Sequence, residues 1–215
     1  MQPEDLAALR QDYKKAALDT VDAGDCPLQF FRKWLDEALV AGVPEPNAMT
    51  LATADREGKP HARIVLLKGL ESEGFVFYTN YESNKSEEIS GNGQAALVFF
   101  WPELERQVRV EGPVKKIPAA GSDAYFAVRP RGSQLGAWAS PQSREVADRG
   151  VLEASFRKTE AQFEAAASVP RPPHWGGYGV VPHRIEFWQG RSSRMHDRIV
   201  FQKEGTGWKV FRLAP

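Results

Sequence analysis

The sequence predicts an α+β protein built around a closed or nearly closed antiparallel barrel, with a few helices packed outside it. Runs rich in Val, Ile, Phe, Tyr and Thr recur through the middle and the end of the chain, and they have the length and content of strands. The connections between the early runs are too short for the crossover that a parallel pair requires, so the pairing is antiparallel. No linker, repeat or low-complexity stretch interrupts the 215 residues, so one domain over 1–215 is expected.

Each element has its own justification. Residues 4 to about 19 carry Leu6, Leu9, Tyr13 and Ala17 at helical spacing on a polar background, so the first 20 or so read as a loosely attached, mobile helical segment. The spacing predicts a firmer helix over 27–40: Pro27 suits its first turn, Leu28, Phe31, Leu35 and Ala38 form a stripe, and Gly42 ends it. Strands are then expected at 48–54, 62–68, 74–80, 95–101 and 106–116, with turns such as Asp55-Arg56-Glu57-Gly58 between them. A helix over 118–128 follows, then a Gly-, Ser- and Pro-containing loop through Pro141. A longer helix is expected from Ser143 to Ala167, with Leu152, Phe156 and Phe163 on one stripe. Four strands, near 177–182, 184–189, 195–202 and 207–213, complete the pattern.

Composition restricts the function. The 28 basic residues match the 28 acidic ones, so no long-range field draws nucleic acid or an anionic membrane, and any anion site must be local. The single cysteine, Cys26, permits no intrachain disulfide and suits a reducing compartment. The first residues lack the layout of a signal peptide, and no apolar run approaches membrane-spanning length, so a cytoplasmic protein is expected. There is no Walker loop, dinucleotide fingerprint, His-Glu-x-x-His or paired-cysteine metal site. Gly176-Gly177-Tyr178-Gly179 opens a strand rather than a helix and reads as a bulge or tight packing site.

Several places can hold an anion. Arg194, His196 and Arg198 alternate; in an extended chain they face one side, about 7 Å apart, and a phosphate is the candidate to sit among them, with a solvated edge strand as the alternative. Arg63 and Lys68 bracket the apolar run 64–67, and share a site only if that strand bends. Ser83-Asn84-Lys85-Ser86 opens a short helix whose free N–H groups, with Lys85, offer a phosphate seat; an ordinary Ser83 cap is the alternative. Tyr125, Arg129 and Ser133 can converge on a second phosphate, although Arg129 also answers a helix dipole. Gln142-Ser143 sit at an expected helix start, and Trp188 could flank a flat ligand or fill the core.

The segments Arg63-Ile-Val-Leu-Leu-Lys68, Phe77-Tyr78-Thr79-Asn80, Leu104-Glu105-Arg106-Gln107-Val108, Arg129-Pro130-Arg131, Gly136-Ala137-Trp138, Ile185-Glu186-Phe187-Trp188-Gln189-Gly190, Arg194-Met195-His196-Asp197-Arg198 and Arg212-Leu213-Ala214-Pro215 resemble the pyridoxine/pyridoxamine 5′-phosphate oxidase family. The resemblance is collinear from about Leu9 to Pro215. It implies a homodimeric split β-barrel that holds FMN in clefts at the dimer interface. Carried over by position, Arg63, Lys85 and Ser143 would hold the FMN phosphate region. Val65, Leu66, Lys68, Tyr78, Thr79, Gln107, Gln142, Trp188 and Arg198 would complete the flavin site, with Gln142 and Ser143 coming from the partner subunit. Lys68, Tyr125, Arg129 and Ser133 would seat the substrate phosphate, Arg194 and His196 would cover the pyridine ring as the catalytic pair, and Arg10 and Tyr13 would close over it.

The activity so implied is oxidation of pyridoxine 5′-phosphate or pyridoxamine 5′-phosphate to pyridoxal 5′-phosphate, with O2 as acceptor and hydrogen peroxide released, plus ammonia from the amine. One departure stands out. The family commonly has Arg before the lysine of the phosphate turn, whereas this chain has Asn84, which removes one charge-assisted donor from the seat. Competing readings are a sister FMN oxidase resembling phenazine-biosynthesis oxidases, a non-catalytic flavin or pyridoxal-phosphate carrier, and a nucleic-acid-binding barrel. Neutral net charge argues against the last.

Overall fold

The computed structural model describes residues 12–71 and 74–215. The expected class is found: the sheet pairings are antiparallel, and helices accompany them. The chain forms two compact units. One combines Leu97–Glu111, His183–Pro215 and the described residues before Thr50; the other combines Thr50–Ala96 and Gly112–Pro182.

The first unit contains α1 (Thr20–Ala23), α2 (Pro27–Val40), β8 (Arg184–Gln189), β9 (Asp197–Glu204) and β10 (Gly207–Leu213). Also in it is the first part of β6 (Arg106–Lys116), which pairs β8 from Arg106↔Gln189 to Glu111↔Arg184. β9 joins β8 and β10 in antiparallel register. Helix α2 forms because Pro27 occupies its first turn and Gly42, at φ 70°, lets the chain leave it. Its buried face is Phe30, Phe31, Trp34 and Ala38, a stripe rotated from the expected one because Leu28 and Leu35 are only half-buried. Phe187 of β8 meets Phe30 at 4.6 Å and Trp34 at 5.2 Å, edge to face in both cases.

The helix expected over 4–19 fails where it can be seen. Residues 12–19 have no helical assignment, and only Thr20–Ala23 forms a turn, capped by Asp19. The remainder of that expectation, Arg10 included, lies outside the described residues. Nor are residues 12–19 loosely attached: the Lys15 N–H donates to Glu105 (3.0 Å), the Leu18 N–H to Asp197 (3.1 Å), and Arg212 donates to the Leu18 carbonyl (3.0 Å). Side chains distant in sequence take up these backbone groups in place of helical hydrogen bonds.

The second unit holds β2 (Pro60–Leu66), β3 (Gly69–Glu71), β4 (Gly74–Asn80), α3 (Asn84–Asn92) and α4 (Ala119–Ala127). It continues with α5 (Arg131–Ala139), α6 (Arg149–Gln162) and β7 (Trp175–Val180). β1 (Ala48–Ala54) lies almost wholly in it and pairs β2, while β4 pairs β3 and β7. Strands β1, β5 (Gln94–Trp101) and β6 run through both units.

Two helices depart from expectation. α5 occupies the stretch predicted to be loop: Gly132, Ser133 and Gly136 are weak helix formers, but Leu135 is buried in a cluster with Phe126, Phe163, Val169 and Trp175. Gln134 Nε2 adds a 2.8 Å bond to the Phe126 carbonyl, so packing overrides propensity. α6 starts at Arg149, not Ser143. Asp148 accepts from the Val151 N–H at 3.1 Å, whereas Ser143 lies at φ 69°, outside any helix. The glycine run at 176–179 is a packing site within fully buried β7: a Cβ on Gly176 would stand 2.1 Å from the Tyr81 hydroxyl, and one on Gly177 2.6 Å from Ile117.

Candidate active site

In the second unit a cavity of about 630 Å³ is lined by four cations, Arg63, Lys68, Lys85 and Arg129. Val65, Leu66, Tyr78, Thr79, Tyr125, Ser133 and Gln142 also line it, so one pocket collects most of the residues singled out in that part of the sequence. Arg63 and Lys68 share it because β2 ends at Leu66; beyond that point the Lys68 N–H bonds the Val76 carbonyl at 2.8 Å. Ser143 is not part of the lining, and Asn84 lies on a separate surface hollow with Asp55, His61 and Glu88.

The pocket wall is aromatic. Tyr78 stacks on Tyr125 with centroids 4.0 Å apart and on Trp175 at 5.3 Å, with the planes within 16° and 9°. The Arg129 guanidinium lies 4.5 Å from the Trp175 centroid. Its Nη1 is buried and has no hydrogen-bond partner, and burial holds the group below the usual arginine range. A partly buried cation with a buried, unused donor fits an anionic ligand rather than a structural role. Trp175 was not singled out from sequence; an indole beside Gly176-Gly177, where no side chain can cover it, was the available signal.

Lys85 is buried. Nζ donates to Thr79 Oγ1 (3.2 Å), Ser83 Oγ (3.2 Å) and Gln142 Oε1 (3.3 Å). Burial, then Arg63, lowers its pKa, and Glu88 opposes the shift. Ser83 occupies the N-cap position of α3, yet its side chain caps nothing; Oγ donates instead to the Asn80 carbonyl at 2.7 Å. The first N–H groups of α3 are therefore left without a side-chain cap. Gln142 reaches Thr79, Asn80 and Lys85 from its own chain. This corrects the expectation that it comes from the partner subunit: the turn after α5, closed by Gln142 N–H on the Ser140 carbonyl (2.9 Å), brings it back.

The remaining expected residues that are described, Tyr13, Gln107, Trp188, Arg194, His196 and Arg198, belong to the first unit. Gln107 and Trp188 are register partners on β6 and β8. The Trp188 ring lies 4.6 Å from His196 and 5.8 Å from Tyr13. His196 Nδ1 accepts from the Arg191 N–H at 3.1 Å, so in the neutral ring the proton sits on Nε2. The alternating row Arg194, His196, Arg198 does not form. Ser192–Arg194 is a 3₁₀ turn with Ser193 and Arg194 at φ 56° and 60°, and β9 begins only at Asp197. Arg198 is committed to buried Glu186 by bonds of 2.8 and 3.1 Å, which raise its pKa. Arg194 is exposed, with no ion pair or hydrogen bond to it among the described residues. Two consecutive left-handed residues other than glycine are the kind of backbone that persists at functional loops.

Fold and site together define an antiparallel α+β protein whose pocket offers donors for phosphate and flat walls for a ring. Residues 35–163 match the pyridoxamine 5′-phosphate oxidase family, and residues 175–215 match the pyridoxine 5′-phosphate oxidase C-terminal dimerisation region. The chain belongs to this family. It is 57% identical over 210 residues to a pyridoxine/pyridoxamine 5′-phosphate oxidase of Synechocystis sp., covering 98% of each chain. With that of Rubrobacter xylanophilus the identity is 56%, over 98% of this chain and 97% of the relative. Among solved structures it is similar to PhzG from Burkholderia lata 383 in complex with tetrahydrophenazine-1-carboxylic acid (TM-score 0.86, 30% identity, 93% of this chain and 98% of that one). A pyridoxamine 5′-phosphate oxidase-related, FMN binding protein from Nostoc punctiforme shares the fold (TM-score 0.69, 17% identity, 86% and 97% covered). These likenesses place the fold among split β-barrels. Among the described residues no helix is long and apolar enough to cross a membrane.

Proposed function

We propose that the protein is an FMN-dependent oxidase that converts pyridoxine 5′-phosphate or pyridoxamine 5′-phosphate to pyridoxal 5′-phosphate, with O2 as acceptor. Hydrogen peroxide is the second product, and ammonia is released from the amine. The observation that carries this reading is the gathering of Arg63, Lys68, Lys85 and Arg129 in one aromatic-walled pocket, cations in the number needed for two phosphate-bearing ligands. The donor set suits FMN: Lys85 and Arg63 are neighbouring cations, and α3 has no side-chain cap on its first N–H groups. The working form is a homodimer, supported by the match to the dimerisation region.

FMN, when bound, supplies the hydride acceptor. The chain's own residues supply the rest. Arg63 and Lys85 hold the flavin phosphate, with Ser143, and Val65, Leu66, Tyr78, Thr79, Gln107, Gln142, Trp188 and Arg198 complete the flavin site. Lys68, Arg129, Tyr125 and Ser133 hold the substrate phosphate and so fix the ring, which removes most of its freedom before reaction. Arg194, always cationic, stacks on the pyridine and stabilises negative charge at its oxygen. His196 presents Nε2–H as a donor, its orientation set by the Arg191 N–H on the other nitrogen. Tyr13 covers the ring from the N-terminal side.

Purified FMN-loaded protein given pyridoxine 5′-phosphate under air is expected to form aldehyde and peroxide in equal amounts. Arg194→Ala should lower kcat/KM by about tenfold or more while retaining flavin, since a charge-assisted contact is worth roughly 1.5–3 kcal/mol. Loss of flavin instead would assign Arg194 to the wrong ligand. The likeness to PhzG favours a second reading, an FMN oxidase of another aromatic substrate. Intact bound flavin with no product from either phosphorylated substrate would support it.

A further inference from the structure

Behind Arg63 stands a buried carboxylate that no contact with a ligand explains. Glu88, on α3, is 9% exposed and does not line the pocket. Its Oε2 accepts from Arg63 Nη2 at 3.0 Å and from the Thr53 hydroxyl, and Thr53 in turn accepts from Arg63 Nη1. Nη1 also points to the Leu51 carbonyl at 3.4 Å. The other carboxylate oxygen lies 3.2 Å from His61 Nδ1, without hydrogen-bond geometry. Three of the five guanidinium N–H groups are therefore taken on the protein side, which leaves Nε and one Nη2 hydrogen for the pocket.

The geometry points to Glu88 as a positioning residue for the phosphate site: it sets the plane and reach of the Arg63 guanidinium, and its value lies in the acceptor atom rather than the negative charge. Charge alone argues the opposite way. A carboxylate next to an anion site repels the ligand and neutralises the cation that should attract it. A buried acidic group at that place is consistent with binding only if it improves geometry by more than it costs in repulsion. The role rests on the reading that Arg63 binds the flavin phosphate, and it deepens that reading by assigning the residue that aims it.

The two contributions separate by substitution. Glu88→Gln keeps the reach and the acceptor oxygen, and its amide N–H can serve His61; Glu88→Asp keeps the charge and loses one methylene of reach. FMN and riboflavin dissociation constants, read from quenching of flavin fluorescence on apoprotein, are the measurement. Glu88→Asp is expected to weaken FMN by about tenfold, because a shift of about 1 Å in a positioned donor is enough for a loss of this size or greater. Glu88→Gln should bind FMN within about twofold of the parent or more tightly, since the acceptor survives and repulsion is relieved. Riboflavin, which lacks the phosphate, should be unaffected by either. If Glu88→Gln is the damaging change and Glu88→Asp is harmless, Glu88 balances charge and the positioning role is overturned. Equal losses for FMN and riboflavin would make it a structural residue and also overturn the role. Should Glu88→Asp fail to fold, Glu88→Ala, which removes the acceptor, decides in the parent and in an Arg63→Ala background: a loss of FMN affinity in the parent that disappears beyond Arg63→Ala supports the role, and an undiminished loss in both overturns it. A parent protein that does not prefer FMN over riboflavin would remove the flavin-phosphate reading itself, a result separable from every variant outcome.

Discussion

Replacing Arg129 with alanine is expected to lower kcat/KM for pyridoxine 5′-phosphate by about a hundredfold or more, through two charge-assisted hydrogen bonds of roughly 1.5–3 kcal/mol each. The guanidinium is partly buried, packs over Trp175 at 4.5 Å and over Phe126 at 5.5 Å, and keeps Nη1 without a partner. Removing it relieves an uncompensated cation as well as deleting packing area, so the free protein should lose little stability. The effect therefore falls on the ligand. Both KM and kcat should change, because a phosphate held less firmly also orients the ring less well. Pyridoxine, without phosphate, should react with parent and variant at similar low rates. An equal fall for both substrates would show that Arg129 supports the aromatic wall rather than the phosphate. Arg129→Lys should recover only part of the loss, since a single ammonium cannot reproduce the planar fork above Trp175.

The second large effect is on stability. Phe187→Ala should destabilise the protein by about 3–5 kcal/mol, the usual cost of emptying a fully buried phenylalanine site. Phe187 has no solvent exposure and touches Phe30, Trp34 and Phe201 at 4.6, 5.2 and 5.8 Å. These neighbours belong to a helix and one strand, and none can fill the void without leaving another contact. At about 2–4 °C per kcal/mol for a chain of this size, thermal unfolding followed by circular dichroism should shift down by roughly 6–20 °C. A shift below about 3 °C would mean that the helix α2 closes the cavity.

Elements whose local pattern and final packing agree were legible. α2 at Pro27–Val40, β4 at Gly74–Asn80, β6 at Arg106–Lys116, β8 at Arg184–Gln189 and β10 at Gly207–Leu213 all match the expected bounds. Where packing decides, the pattern misled. Arg131–Ala139 is helical because Gln134 and Leu135 are held from outside the segment, information absent from Gly132, Ser133 and Gly136. The site shows the same division. The family segments contain Arg63, Lys68, Tyr78 and Arg129, and the candidate anion seats added Lys85 and Tyr125, while Trp175 and Glu88 act through stacking and through a second residue, and neither belongs to a short motif. Arg194 was misplaced geometrically for a local reason: two left-handed residues, which alternation cannot reveal, turn the chain just before β9.

The first unit is made from three separated stretches, and this has a consequence in time. Phe30, Phe31 and Trp34 lie in the earliest of them, yet Phe187 and Phe201, which cover Phe30 and Trp34 or adjoin them, come more than 150 residues later. During synthesis Phe30 and Trp34 must wait for this cover until β8 and β9 have left the ribosome. Closing loops of that length makes the unit slow to form compared with one of local contacts, and dependent on shielding of those rings meanwhile. Phe31 finds Phe99 and Trp101 of β5 earlier, but any interruption of the chain before residue 183 would leave Phe30 and Trp34 without Phe187, and would favour aggregation of the nascent chain over folding.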